Sequence, residues 1–230
     1  MIKIESISKS YTNGLGREVI LFKDLSFEIQ QSKITTILSK SGTGKTALLQ
    51  KISMLDETNL TNAKRIYIPS EPSSFPWLNV RENIIFNLKV FDENYLNSVI
   101  KMVGLSGYED HYPNNESIGF RFRISLARAI IRNPELIIID DSITKLSQNR
   151  RSDLFTLLRN ITLKMKTSVL YATSSVSDAV RISDKIILMH GAPLKVQSVK
   201  TILIDEEVRS DSSSIISYID YFDENELSFF

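Results

Sequence analysis

One short turn near the start of the chain carries the clearest chemistry. Ser39-Lys-Ser-Gly-Thr-Gly-Lys-Thr46 combines two glycines, an amine and a hydroxyl. Glycines in such a turn let backbone N–H groups curl around a phosphate, and the N-terminus of a following helix adds unpaired donors and a partial positive charge. Lys45 then reaches β- and γ-phosphates, and the Thr46 hydroxyl is placed to ligate Mg²⁺. Ser39, Lys40, Ser41, Gly42, Thr43, Gly44, Lys45, Thr46 and Ala47 are therefore the candidate triphosphate-binding residues. The first glycine of the usual pattern is Ser39 here; if that position needs a positive φ, serine strains the turn by about 1 kcal/mol. A second acidic element lies downstream. Glu135-Leu-Ile-Ile-Ile-Asp-Asp141 reads as a buried strand ending in two carboxylates. Alone, such an end is more often an exposed acidic turn. Paired with the phosphate loop, Asp140 becomes a candidate Mg²⁺ ligand, directly or through water, and Asp141 a base that orients attacking water.

These groups need a scaffold, and the pattern supplies one. Ile34-Thr-Thr-Ile-Leu38 reads as a buried strand leading into the turn, and Ala47, Leu48, Leu49 and Ile52 recur behind it at helical spacing, to about Met54. Before them, Ile2–Ile7 alternates and Val19–Ile29 reads as a longer strand after the turn at 12–16. After them come polar loop over Asp56–Lys64, a short strand at Arg65–Ile68 and a helical pattern from Val80 to about Gly104. Phe120–Arg132 is a helix stopped by Asn133-Pro134; Ser147–Lys166 and Ser175–Ser183 are helical, with strands at Thr167–Ala172 and Lys185–His190. Strands alternating with helices imply an α/β fold with a parallel sheet covered on both faces. Ligands then sit at the carboxyl ends of the strands, where Lys45 and Asp140 both fall. Asp205–Phe230 is acidic and serine-rich with an apolar set that includes Ile215 and Ile219, an appended amphipathic helix or a loose tail.

Composition narrows the classes. A chain of 230 residues, 42% hydrophobic and 24% charged, can bury a real core in one large or two small domains. The net charge of +1 leaves no electrostatic footprint for nucleic acid. Without cysteine there is neither a disulfide framework nor a thiolate metal site, which suits a cytoplasmic protein. Met1 opens directly into a strand pattern rather than a signal peptide, and no apolar run approaches membrane-spanning length, so any membrane role is expected to be peripheral.

Several ordered segments carry a family likeness. Leu21-Phe-Lys-Asp-Leu-Ser-Phe-Glu-Ile29 leads toward the phosphate loop, and Ser70-Glu-Pro-Ser-Ser-Phe-Pro-Trp-Leu-Asn-Val-Arg-Glu-Asn-Ile84 follows the short strand. Val103-Gly-Leu-Ser-Gly-Tyr-Glu-Asp-His-Tyr-Pro113 precedes Arg123-Ile-Ser-Leu-Ala-Arg-Ala-Ile130, and Val169-Leu-Tyr-Ala-Thr173 is followed by Asp178-Ala179 and Asp184. Over roughly residues 1–200 the chain resembles the ATP-binding subunits of ABC transporters, above all those of nitrate, sulfonate and taurine importers. The resemblance implies a P-loop NTPase of ABC type: a mostly parallel sheet core, a small, shortened antiparallel β subdomain and a helical subdomain at about 78–132. These make up a nucleotide-binding domain over 1–204, followed by the 205–230 tail. It implies ATP and Mg²⁺ as ligands, hydrolysis by in-line attack of water with Asp141 and Lys45 as the catalytic pair, and Tyr11 stacking on adenine. It also implies a transmembrane permease partner, a homodimer or a heterodimer with another ATP-binding subunit, and a place on the inner face of the membrane. Phe75, Trp77 and Leu78 would receive a permease helix or belong to the core of the helical subdomain.

The departures from the family pattern cluster on hydrolysis. The catalytic glutamate is Asp141, one methylene shorter; the Q-loop glutamine is Ser70; the switch histidine is Ser174; the D-loop aspartate is Ser147. The signature, usually Leu-Ser-Gly-Gly-Gln, reads Glu116-Ser-Ile-Gly-Phe120, keeping Ser117 and Gly119. Ground-state nucleotide contacts are retained while water-positioning groups are altered, so impaired turnover is expected. One reading is a transporter subunit with weak hydrolysis. The other is an ATP-binding regulatory or assembly protein that acts by nucleotide-gated conformational change. A small-molecule kinase with Arg121 and Arg123 as a lid is a lesser alternative, since both fall on the signature helix.

Overall fold

The computed structural model describes residues 1–55, 64–114, 116–141, 143–205, 208–209 and 215–219. The expected loop at 56–64, all but Lys64, and most of the 205–230 tail therefore lie outside the described residues. Strands β1 (Ile2–Thr12) and β2 (Glu18–Ile29) form an antiparallel pair. The main sheet holds β3 (Ile34–Leu38), β4 (Arg65–Ile68), β5 (Leu136–Asp140), β6 (Ser168–Thr173), β7 (Lys185–His190) and β8 (Lys195–Thr201). Its order is β4-β5-β6-β3-β7-β8. The first five strands run parallel, and β8 returns antiparallel along β7. Every residue of β3, β5 and β6 is buried. Parallel strands covered on both faces require such unbroken burial.

Among the described residues the helices are α1 (Lys45–Ser53), α2 (Val80–Ile85), α3 (Glu93–Met102), α4 (Ile118–Ile130), α5 (Gln148–Met165) and α6 (Val176–Ile182), with a further helical turn at 215–219. The alternation of side chains along a strand divides the core. From β5, Ile137 and Ile139 join the cluster formed with α2 to α5, whereas Leu136 and Ile138 face the β1–β2 pair and α1. A third cluster gathers Leu38, Ala179, Val180, Ile186, Leu188, Ile202, Ile204 and Ile215. Part of the tail thus packs on the body. Ile215 is fully buried, and the buried Arg209 guanidinium donates to the carbonyls of Val180, Arg181, Ser183 and Ile204.

Three details differ from the sequence expectation. The helical pattern from Val80 to Gly104 is two helices, because Phe86 leaves the first at ψ 128° and Asn87 takes φ 61°. Asp92 then restarts the chain by accepting from the Tyr95 N–H at 2.8 Å. Helix α4 begins two residues before Phe120, where the Ser117 hydroxyl accepts from the Phe120 N–H at 3.2 Å. Strand β8 is an addition, an edge strand whose residues alternate between exposed and partly buried. Its Lys-Val-Gln-Ser-Val-Lys-Thr sequence has too little apolar content to stand out as a strand.

Candidate functional site

The turn between β3 and α1 is anchored at its start, where the Ser39 N–H donates to the Thr173 carbonyl of β6 at 3.2 Å. Gly42 and Gly44 take φ +79° and +99°, and Gly44 is the N-cap of α1. Both values lie in the left-handed region that a side chain would strain. Ser39 is not among the residues with positive φ. The strain expected there does not arise. Instead the fully buried Ser39 Oγ lies 2.7 Å from Thr43 Oγ1, and that hydroxyl donates to the Lys40 carbonyl at 2.9 Å. Lys45, only 7% exposed, donates from Nζ to the Ser39 carbonyl at 2.6 Å and the Lys40 carbonyl at 2.7 Å. Burial lowers the pKa of this amine, and the carboxylates of Asp141 and Asp140 partly offset that.

Asp140 closes β5 at 1% exposure. Its Oδ2 accepts a hydrogen bond from the Tyr67 hydroxyl at 3.0 Å. The parallel β4–β5 register sets Tyr67 opposite Ile138, bringing the phenol up to the end of the neighbouring strand. Burial first, and then the adjacent Asp140 charge, push the Tyr67 phenol well above its usual range. Asp141 follows with φ 29°, its N–H donating to the Ala172 carbonyl at 3.1 Å. Burial raises the pKa of its carboxyl; the Thr144 hydroxyl and Lys45 oppose the shift and Asp140 adds to it. Asp141 Oδ1 is buried with no hydrogen-bond partner. An acceptor left so costs about 1–3 kcal/mol.

These groups border one cavity of about 510 Å³, within the range of small-molecule sites. Its lining includes Ser41, Gly42, Gly44, Lys45, Thr46, Ala47, Ser70, Asp140 and Asp141, with Leu21 and Gln50. Ser39, Lys40 and Thr43, also expected at the phosphates, are not part of that lining. An amine, glycine-freed N–H groups, a hydroxyl and a carboxylate suit a triphosphate with its hard, oxygen-seeking Mg²⁺. Among the described residues no group of His, Asp or Glu forms an all-protein metal cage. Mg²⁺ held by one carboxylate and substrate phosphates needs none.

Other expected positions lie elsewhere. Tyr11 is 50% exposed on β1, opposite Val19, and is not part of the cavity wall. Ser117 and Gly119 line a separate cavity of about 480 Å³ that shares no residue with the first. A Cβ on Gly119 would meet its nearest neighbour, Leu146, at 3.7 Å, so packing within the chain does not demand glycine there. Glu116 Oε1 sits 2.8 Å from His111 Nε2. Ser147 is the N-cap of α5 without a side-chain cap bond, and Ser174 is exposed just past β6. Phe75 packs on Phe86 at 4.4 Å and beneath the Arg128 guanidinium at 5.0 Å, whereas Trp77 is 69% exposed. Sequence reasoning missed Tyr67. A tyrosine on a short strand was visible, but its neighbour across the sheet was not.

Among the described residues no helix is long and apolar enough to cross a membrane. A family model for ABC transporters matches residues 22–144. The aliphatic sulfonates import ATP-binding protein SsuB of Bacillus cereus is 30% identical over 213 residues, covering 86% of this chain and 84% of the relative. An uncharacterized ABC transporter ATP-binding protein of Methanocaldococcus jannaschii, MJ0412, is 29% identical over 238 residues, 96% of this chain and 88% of that one. In fold, the dimeric structure of the ABC transporter cassette MJ0796 superposes with a TM-score of 0.74 at 22% identity, covering 89% of this chain and 100% of that chain. The cbiO1 protein of Clostridium perfringens, part of the transporter complex cbiONQ, gives 0.73 at 18% identity, covering 96% and 94%. Motif order, sheet topology and these matches converge: the chain belongs to the ABC transporter family, as an ATP-binding subunit homologous to sulfonate-importer ATPases.

Proposed function

We propose that the chain binds Mg-ATP in the phosphate-loop cavity and couples that binding, with slowed hydrolysis, to a permease of the nitrate, sulfonate or taurine importer type. The observation that carries this reading is the convergence of Lys45, Thr46, Asp140 and Asp141 on one cavity wall. Backbone N–H groups of the turn and the first turn of α1 would hold the phosphates. Lys45 would exchange the carbonyls of Ser39 and Lys40 for phosphate oxygens, trading neutral acceptors for charged, stronger ones. Thr46 and Asp140 would hold Mg²⁺, which supplies charge neutralisation at the β- and γ-oxygens when bound. Asp141 would accept a proton from water, and Tyr11 would stack on adenine. Ser70 is too short to share in placing that water, and Ser174 carries no charge to the γ-phosphate, so turnover is slow.

The same reading assigns residues 1–204 to the nucleotide-binding domain, with the helical part at about 78–132 and the tail at 205–230. It places the protein on the cytoplasmic face of the membrane, paired with a permease and with a second ATP-binding subunit, identical or different. The dimeric MJ0796 cassette and the place of cbiO1 in a transporter complex support that arrangement. The second reading, a nucleotide-gated regulator, is favoured by the altered positions Asp141, Ser70, Ser147 and Ser174 and by the degenerate signature around Ser117 and Gly119. Lys45→Ala decides the site assignment: it should abolish ATP binding, and an affinity unchanged within error would overturn the assignment. Wild-type phosphate release no faster than that of Lys45→Ala would favour the regulator over the transporter.

A further inference from the structure

Asp140 is held more firmly than a strand-end carboxylate needs to be. Its Oδ2 takes the Tyr67 hydroxyl at 3.0 Å, and both residues sit on adjacent parallel strands whose register pairs Tyr67 with Ile138 and Ile68 with Ile139. At 1% exposure, Asp140 has little room to turn about its own χ angles. Gln50, which also lines the cavity, approaches the same phenol from α1 within hydrogen-bonding reach. Among the described residues, Tyr67 is the side-chain donor to this carboxylate.

We infer that Tyr67 determines which divalent cation the site accepts, favouring Mg²⁺ over Ca²⁺ by keeping Asp140 a one-oxygen ligand. The inference rests on Asp140 being the carboxylate that meets the metal. Mg²⁺ demands near-octahedral geometry, keeps several waters and takes few carboxylate oxygens, whereas Ca²⁺ accepts more ligands at longer distance and readily binds a carboxylate through both oxygens. A phenol on Oδ2 takes one of the two oxygens and fixes the plane of the other. Hydrogen-bond partners behind a metal ligand act in this way on affinity and selectivity. Tyr67 is thus a positioning residue that works through Asp140.

The test is Tyr67→Phe in the full chain, which removes one oxygen and leaves the ring in place. A fluorescent ATP analogue is titrated first in EDTA, then with Mg²⁺ alone and with Ca²⁺ alone. The metal-free affinity is expected to stay at the wild-type value, while the thermal midpoint falls by a few degrees because Asp140 Oδ2 loses its donor. The Mg²⁺ concentration for half-maximal effect should rise about tenfold, the lower end of what losing such a partner costs a metal site. The Ca²⁺ value should stay or fall, so the preference swings toward Ca²⁺. Equal movement of both metals, or no movement of either, would overturn the inference and leave Tyr67 a packing residue. Asp140→Ala separates the two levels. If it keeps the full metal effect, the metal-site reading fails; if it loses that effect while Tyr67→Phe behaves as wild type, only the role of Tyr67 fails.

Discussion

Asp141→Glu moves the second carboxylate outward by one C–C bond, about 1.5 Å. A catalytic group misplaced by about 1 Å can lose on the order of 100-fold in rate, which sets the ceiling for recovery. Two facts hold the gain below that ceiling. Ser70 and Ser174 stay unable to share in placing water or charge, and Asp141 sits at φ 29°, a backbone conformation that a longer side chain does not relieve. The change also removes the Asp141 Oδ1 that is buried without a partner in the wild-type chain. The expected outcome is a rise of about tenfold in phosphate release at saturating Mg-ATP, close to 1.4 kcal/mol off the barrier. Nucleotide affinity should be unchanged, because the substitution keeps the carboxylate's charge and leaves the turn and Lys45 in place. The assay is single-turnover phosphate release beside equilibrium nucleotide binding, repeated across pH. Burial raises the Asp141 carboxyl above the ordinary aspartate range, so the acid limb of the wild-type rate should sit correspondingly high. A glutamate reaching toward solvent should move that limb back down. An unchanged rate at equal nucleotide occupancy would refute the idea that carboxylate reach limits this site.

Two further expectations concern stability. With its folded pKa raised, Asp141 contributes stability while protonated and loses that contribution as pH rises through the raised value. Asp141→Asn, permanently neutral, should therefore melt above wild type at neutral pH, and its advantage should vanish below the ordinary aspartate range; a lower midpoint at neutral pH would contradict this. Arg209→Ala should strip donors from the carbonyls that end α6, costing about 3 kcal/mol. For a domain of this size that is a fall of about 6–12 °C in melting temperature. A change of under a degree would mean that the tail segment does not brace α6 in solution.

The phosphate loop could be read from the chain because its parts are contiguous. A buried strand, a glycine turn and an apolar-periodic helix occupy neighbouring positions, and the left-handed φ of Gly42 and Gly44 is a local demand that residue type announces. Buried strands such as Leu136–Asp140 were equally plain, since burial on both faces favours an unbroken apolar run, here Leu136–Ile139. Where the local signal weakened, the reading did too. The break at Phe86–Asn87 rests on backbone angles that a continuous helical pattern hides, and β8 shows too little apolar alternation to stand out.

What the chain alone determined was the composition of the site: which amine, hydroxyl and carboxylates are present. Tertiary structure decided their state. It relieved the turn of the strain expected at Ser39, folded Lys45 onto the carbonyls of Ser39 and Lys40, left Asp141 Oδ1 buried without a partner, and set Tyr67 against Asp140. It also put Ser117 and Gly119 in a different cavity from the loop. The reason is physical. Residue type and spacing govern torsions and periodicity over a few positions, whereas strand order and register fix which distant groups meet, and burial at those meetings sets their charge and their freedom to move.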